Sequence, residues 1–194
     1  MKSLLAKHYT TFDTSAGTCA IAWNDIGISR FQLPTERPEE VETWQQRRVP
    51  GAVPGSPNSD VSRVIEAAIR YFDGHLVDFS DAAVDLRGQP EFFAKTYISL
   101  RDVPYGKTTT YGELAKSVGE GVERSREVGI AMATNPVPLI IPCHRVLAAG
   151  GRLGGFSAPG GTESKTRMLR LEGIAIVPRS RLNFTQTAQS SFAF

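Results

Sequence analysis

Three side chains in the second half of the chain, Cys143, His144 and Glu172, have the types that a nucleophile, a base and an orienting third group require. A free thiol has a pKa of about 8.5, so at neutral pH it is mostly protonated and needs a partner to take its proton. His144, directly beside it, is the available base. Glu172 lies in LRLEG at the C-terminal end of an expected helix, where a carboxylate opposes the helix dipole, which argues for some other partner. Otherwise it is a surface charge. The bland reading of Cys143 is a buried small hydrophobe, the usual fate of an unpaired cysteine; the polar pair His144-Arg145 that follows it argues for more.

The elements around these residues must position them. Residues 135–146 read NPVPLIIPCHRV, and Pro136, Pro138 and Pro142 exclude a helix because each lacks an N–H and biases its predecessor toward extended geometry. A rigid, buried, extended segment is therefore expected to deliver Cys143 to one place. Asn135, before a proline, is a good turn former. Upstream, Thr110 and Glu113 form a T-x-x-E capping box, and Gly119 stands where that helix should end. A second helix is expected over 124–133, with Val128, Ala131 and Met132 inward and Arg124 and Arg126 on it. Two short helices so joined are a helix-turn-helix candidate, although such pairs are common. Taken alone, Arg126 reads as a solvated charge and Tyr111 as either a core aromatic or a functional group. The glycine-rich stretch 149–161 reads as a loop needing close backbone approach, and a helix with Met168, Leu169 and Leu171 follows from about Thr162.

The string PCHRV, preceded by a capped helix, an arginine-bearing second helix and Asn135-Pro136, closely resembles the methylated-DNA–protein-cysteine methyltransferases, which repair O(6)-alkylguanine. The resemblance is strong from Gln89 to Gly173 and faint before. It implies double-stranded DNA as partner, extrusion of the damaged nucleotide, and displacement of guanine by the thiolate of Cys143, with His144 acting through a bridging water. Extrusion costs roughly a few kcal/mol, which pocket contacts must offset. The resemblance further implies that Arg126 fills the space left by the extruded base. Tyr111 would assist flipping, Asn135 would hold the thiol-bearing turn, and Val146, Phe156 and Ser157 would meet the substrate beneath a closing loop. Phe156 stands where many members have Tyr, and Ala158-Pro159-Gly160-Gly161 lengthens the loop, so the range of alkyl groups stays open. A thioether has no easy leaving path, so each molecule is expected to act once, as a monomer, and no cofactor is implied.

Composition agrees without adding a function. The chain has 194 residues, 41% hydrophobic and 22% charged, which is ordinary for a globular protein. Its net charge of +2 divides unevenly: residues 1–88 hold 9 Lys+Arg against 12 Asp+Glu, and the remainder holds 13 against 8. The basic excess therefore lies with Cys143, as polyanion binding would favour. No apolar run is long enough to span a bilayer. Two cysteines are too few for a disulfide framework, which favours a reducing compartment, the cytoplasm, or the nucleus in a eukaryote. Cys19, His8 and His75 lack metal-ligand spacing, so no metal is expected.

In the first half, residues 18–33 alternate around Asn24-Asp25 and Gly27 and predict two strands with a tight turn. A surface helix is expected over 38–48 and a loop over 49–59. Val61, Val64, Ile65, Ala68, Ile69 and Phe72 predict an amphipathic helix entered at Ser59 or Asp60 and ended near Gly74. Extended chain anchored by Leu76, Phe79 and Leu86 should follow, then a break at 87–90 and a helix with Phe92, Phe93, Tyr97 and Leu100 inward. The expected architecture is an α/β (α+β) N-terminal domain over 1–88 with a small sheet and helices. A mostly α-helical domain with the helix-turn-helix follows over 89–178, then a polar tail over 179–194. Three rivals remain. A lesion-binding alkyltransferase-like protein would lack the cysteine, a Cys-His hydrolase would need an oxyanion hole, and a transcription regulator would leave the thiol unexplained.

Overall fold

The computed structural model describes residues 6–176, so the expected tail over 179–194 lies outside the described residues. The first part is a four-stranded sheet with helices on both faces. Strand β1 (His8–Thr14) pairs antiparallel with β2 (Gly17–Trp23), and β2 with β3 (Ile28–Thr35). Helix α1 (Pro38–Arg48) follows, then the two-residue β4 (Val53–Pro54), which joins β1 in parallel and gives the order β3-β2-β1-β4. The β2–β3 hairpin turns at the expected place, where Asn24 Oδ1 accepts the Ile26 and Gly27 N–H groups. β1 and β4 were not legible beforehand.

β2 is buried along its length because both faces of the sheet are covered. Cys19, Ile21 and Trp23 join the main core, while Ala20 and Ala22 face a smaller cluster with Trp44 of α1. Small residues on that face let α1 approach closely. Helix α2 (Ser59–Phe72) covers the other face. Its N-cap is Asn58, one residue earlier than expected, whose side chain accepts the Val61 N–H at 2.9 Å. Its buried stripe is Val61, Val64, Ala68, Tyr71 and Phe72, turned from the expected one so that Ile65 and Ile69 are only half-buried. Residues 75–88 pair with the sheet only through a bridge from Val84 to Ile28; of the expected anchors Phe79 is buried, whereas Leu76 is 71% exposed and Val77 beside it is buried in its place.

The second part begins with α3 (Glu91–Arg101), whose Tyr97 and Leu100 are fully buried. β5 (Thr109–Thr110) leads into α4 (Tyr111–Ser117), where Thr110 Oγ1 accepts the Glu113 N–H and Glu113 Oε2 accepts the Thr110 N–H: the expected capping box. Gly119 follows at φ +84°, a left-handed position that favours glycine. After one 3-10 turn comes α5 (Ser125–Ala133), packed on α4 and tied to α3 by the Tyr97 hydroxyl, which donates to the Ala131 carbonyl at 2.7 Å. β6 (Val146–Leu147) pairs in parallel with β5, and α6 (Gly161–Leu171) closes the described fold. One continuous core runs through both parts, from Cys19 to Met168, and the Phe31 N–H of β3 donates to the Pro136 carbonyl at 3.0 Å.

Candidate active site

The segment before Cys143 is irregular rather than extended. Asn135 closes it: its Nδ2 donates to the Ile141 carbonyl at 2.8 Å and its Oδ1 accepts the Val137 N–H at 3.0 Å. Leu139 at the apex sits at φ +76°, a left-handed conformation costing a non-glycine residue about 1–2 kcal/mol, and its side chain is buried. No local signal announces such a turn, because it is sustained by burial. Cys143, His144 and Arg145 then form one 3-10 turn, all three buried. A 3-10 turn spreads its side chains in different directions, so Cys143 and His144, though adjacent, face different surroundings.

Cys143, 4% exposed, lines a cavity of about 140 Å³ together with Met132, Asn135, Phe156 and Ser157 from the second part and Phe31 from β3. Burial pushes its thiol pKa up, opposed by the Asn135 side chain and by Lys165. The resting thiol is therefore protonated and needs a base.

His144 is fully buried. Its Nε2 lies 2.6 Å from Glu172 Oε1, while its Nδ1 makes no hydrogen bond to any described protein atom. Burial lowers its pKa against the opposing pull of Glu172, so the ring is neutral at rest. Glu172 forms the C-cap of α6, and the structure supplies the partners that its place against the dipole called for. Arg145 donates from Nε to Oε2 at 2.9 Å and from Nη2 to Oε1 at 3.0 Å, a forked charge pair. The Gly106 N–H donates to Oε2 at 3.1 Å and the Tyr71 hydroxyl to Oε1 at 2.9 Å. Burial works to raise the Glu172 pKa, but His144 and Arg145 outweigh it and hold the carboxyl at about 2. An anionic, immobilised carboxylate facing Nε2 puts the ring proton there and the lone pair on Nδ1.

The other expected residues are placed as follows. Tyr111 opens α4, and burial followed by Cys143 raises its pKa. Its hydroxyl abuts Gly154, where a Cβ would come within 2.5 Å, so that loop position has room only for glycine. Val146 begins β6 and is buried; its carbonyl accepts from Lys165 Nζ at 2.6 Å. Phe156 is half-buried, and the Ser157 hydroxyl donates to the Ala133 carbonyl at 2.8 Å, tying the glycine-rich loop to the end of α5. Arg126 is exposed on α5, away from the thiol cavity, with no ion pair among the described residues. Among the described residues no group of three His, Cys, Asp or Glu comes together as a metal site.

Sequence reasoning assigned no role to Lys165, Tyr71 or the Arg145 fork. Lys165 had a readable signal: it sits three and four positions before Met168 and Leu169, on the apolar stripe of α6, where a lysine needs a reason. Burial lowers its pKa to about 8, against an opposing pull from Cys143.

A family model described as the 6-O-methylguanine DNA methyltransferase DNA binding domain matches residues 91–174, which hold Tyr111 through Glu172. The methylated-DNA–protein-cysteine methyltransferase of Mycolicibacterium paratuberculosis is 34% identical over 165 residues, 84% of this chain and 91% of its own length. The chain belongs to that family. The protein of the same description from Methanosarcina acetivorans is 33% identical over 86% of this chain and 98% of its own. A crystal structure of Mycobacterium tuberculosis OGT in complex with DNA superposes with a TM-score of 0.68 at 32% identity, covering 85% of this chain and 92% of that one. The mixed α/β architecture described above is thus the alkyltransferase fold; Cys143 and the buried His144–Glu172 pair fall within the matched segment, while the thiol cavity is also lined by Phe31 from outside it.

Proposed function

We infer that this alkyltransferase-family chain repairs DNA by extruding an O(6)-alkylguanine and transferring the alkyl group, once and irreversibly, to Cys143 Sγ. The observation that carries the reading is a buried thiol in a cavity beside a neutral histidine whose Nδ1 is uncommitted and whose Nε2 is held by an anionic glutamate. In the step, the Cys143 proton passes through a bridging water to His144 Nδ1. Sγ bonds to the alkyl carbon, and the C–O6 bond breaks with its electron pair leaving on guanine. The proton that guanine then takes up balances the one lost by the thiol. The product thioether has no leaving path, so turnover is single.

Asn135 supports this chemistry by clamping the turn, and Phe156 and Ser157, which line the thiol cavity, border the space that guanine fills; Val146 closes the thiol-bearing turn outside the cavity lining and is a substrate contact only on this reading. Tyr111, wedged against Gly154 beside the thiol, contacts the extruded nucleotide. Arg126, exposed on α5 and without an ion pair among the described residues, is positioned to enter the duplex where that nucleotide stood. In this reading α4 and α5 act as a helix-turn-helix, residues 1–88 and 89–178 are two domains sharing one core, and the protein works as a monomer in the cytoplasm or nucleus. No described helix is long and apolar enough to cross a membrane.

Intact-protein mass after incubation with a duplex carrying O(6)-methylguanine tests the proposal. Stoichiometric gain of a methyl group, absent in Cys143→Ala, is the expected result. Tight binding of the lesion without a mass change would refute transfer.

A further inference from the structure

We propose that Tyr71, contributed by α2 in the first part of the chain, is a positioning residue of the transfer site: its hydroxyl touches Glu172 and His144 at once and joins Glu172 in holding the imidazole tautomer that leaves Nδ1 as the base. The inference rests on the alkyl-transfer reading above.

Tyr71 is fully buried. Its hydroxyl oxygen lies 2.9 Å from Glu172 Oε1 and 3.3 Å from His144 Nε2, and Oε1 and Nε2 are themselves 2.6 Å apart, so the three atoms form a closed triangle. The phenol has one proton. The carboxylate, the nearest acceptor, takes it; the Met168 carbonyl at 3.4 Å is the more distant alternative. Toward Nε2 the phenol oxygen can then only accept. Two oxygens with no proton to offer thus face the same ring nitrogen, and Nε2 must carry the hydrogen. Burial and the nearby Glu172 carboxylate push the Tyr71 pKa far up, so this donor stays intact at any working pH.

Packing holds the triangle in place. The Tyr71 ring meets His144 edge-on at 6.2 Å, Tyr105 at 6.2 Å and Phe72 at 5.1 Å, which fixes the phenol and blocks rotation of the imidazole. Tyr71 precedes the segment 91–174 that the DNA-binding domain model matches, so on this proposal the first part of the chain takes a share in the chemistry.

The titratable and charged groups facing His144 are Glu172 and Lys165 from α6, Arg145 from its own turn, and Tyr71 from α2. Removing the Tyr71 hydroxyl takes one donor from Glu172, leaves more negative charge on Oε1 and favours the imidazolium. The pH below which His144 is protonated, and unable to accept the thiol proton, must then rise.

The test compares full-length wild type, Tyr71→Phe and Tyr105→Phe. The last removes a neighbouring hydroxyl that donates to the Leu171 carbonyl at 2.6 Å and not to the dyad. Two quantities are followed across pH: single-turnover methyl transfer from an O(6)-methylguanine duplex, and the protonation of the His144 ring by nitrogen NMR. Tyr71→Phe is expected to slow transfer about tenfold with unchanged affinity for the duplex, and to move both the acid limb and the ring titration upward by about half a unit or more. Tyr105→Phe should move neither. A Tyr71→Phe protein that titrates like wild type, or that loses rate only in proportion to a stability loss shared with Tyr105→Phe, overturns the proposal. Should wild type gain no methyl group, the repair reading falls, and the ring titration still decides the role of Tyr71.

Discussion

Replacing Glu172 by Gln keeps the shape of the site and removes one buried charge. The carboxyl is held at about 2 in the fold against an ordinary value of 4.5, with His144 and Arg145 overcoming the penalty of burial. A folded-state pKa below the unfolded one stabilises the fold above the unfolded pKa, and that stability is lost as pH falls through the folded value. At about 1.4 kcal/mol per unit, the group contributes about 3 kcal/mol at pH 7 and about 1 kcal/mol at pH 3. Glu172 is only 4% exposed, so solvent screening takes little from this figure. In Glu172→Gln the Arg145 guanidinium is left buried without its counter-charge, and breaking such a pair typically costs about 3–5 kcal/mol. Denaturant unfolding at pH 7 and pH 3 should therefore show a stability gap between wild type and variant that narrows by about 2 kcal/mol on acidification. Transfer to Cys143, followed by intact mass at a temperature where both proteins are folded, should slow by at least about a hundredfold, because the imidazolium formed in the step loses its partner. A gap independent of pH would refute the electrostatic account of the dyad, and an unchanged transfer rate would refute the orienting role.

Three further outcomes are expected. Arg126→Ala should leave stability within about 0.5 kcal/mol of wild type, since the side chain is exposed and unpaired among the described residues. The same change should slow transfer from duplex DNA while sparing transfer from a free alkylguanine base; equal slowing of both would rule out the duplex-filling role. Thr110→Ala removes the cap of α4 and should cost about 1 kcal/mol in chemical denaturation. Lys165→Met probes a buried ammonium whose pKa burial lowers to about 8. The charged form is disfavoured in the fold, so wild type should gain stability relative to the variant as pH rises from about 8 toward 10, and a difference that stays flat over that window would refute the assignment.

Part of this protein could be read residue by residue. The capping box at Thr110, the glycine after α4, the hairpin around Asn24 and the inward positions of α5 are local devices, set by hydrogen bonds and side-chain spacing within a few residues, and they stand where the pattern put them. Cys143, His144 and Asn135 were visible because they are close in sequence, and Glu172 because its place at a helix end was electrostatically awkward. Other features had no local signature. The left-handed Leu139 is held by its burial, β4 exists only because β1 offers an edge, and the small faces of Ala20 and Ala22 make sense only beneath Trp44.

The sequence by itself determined which groups were available: a thiol beside an imidazole, a carboxylate at a helix end and an arginine on a capped helix pair. Tertiary structure alone decided their protonation states, because those depend on burial and on partners far along the chain. The Tyr71 hydroxyl reaches Glu172 across 101 positions, and Arg145 forks onto the same carboxylate across 27. Removal from water makes a charge or a proton costly to misplace, and only the folded chain excludes the water that would otherwise make these placements indifferent.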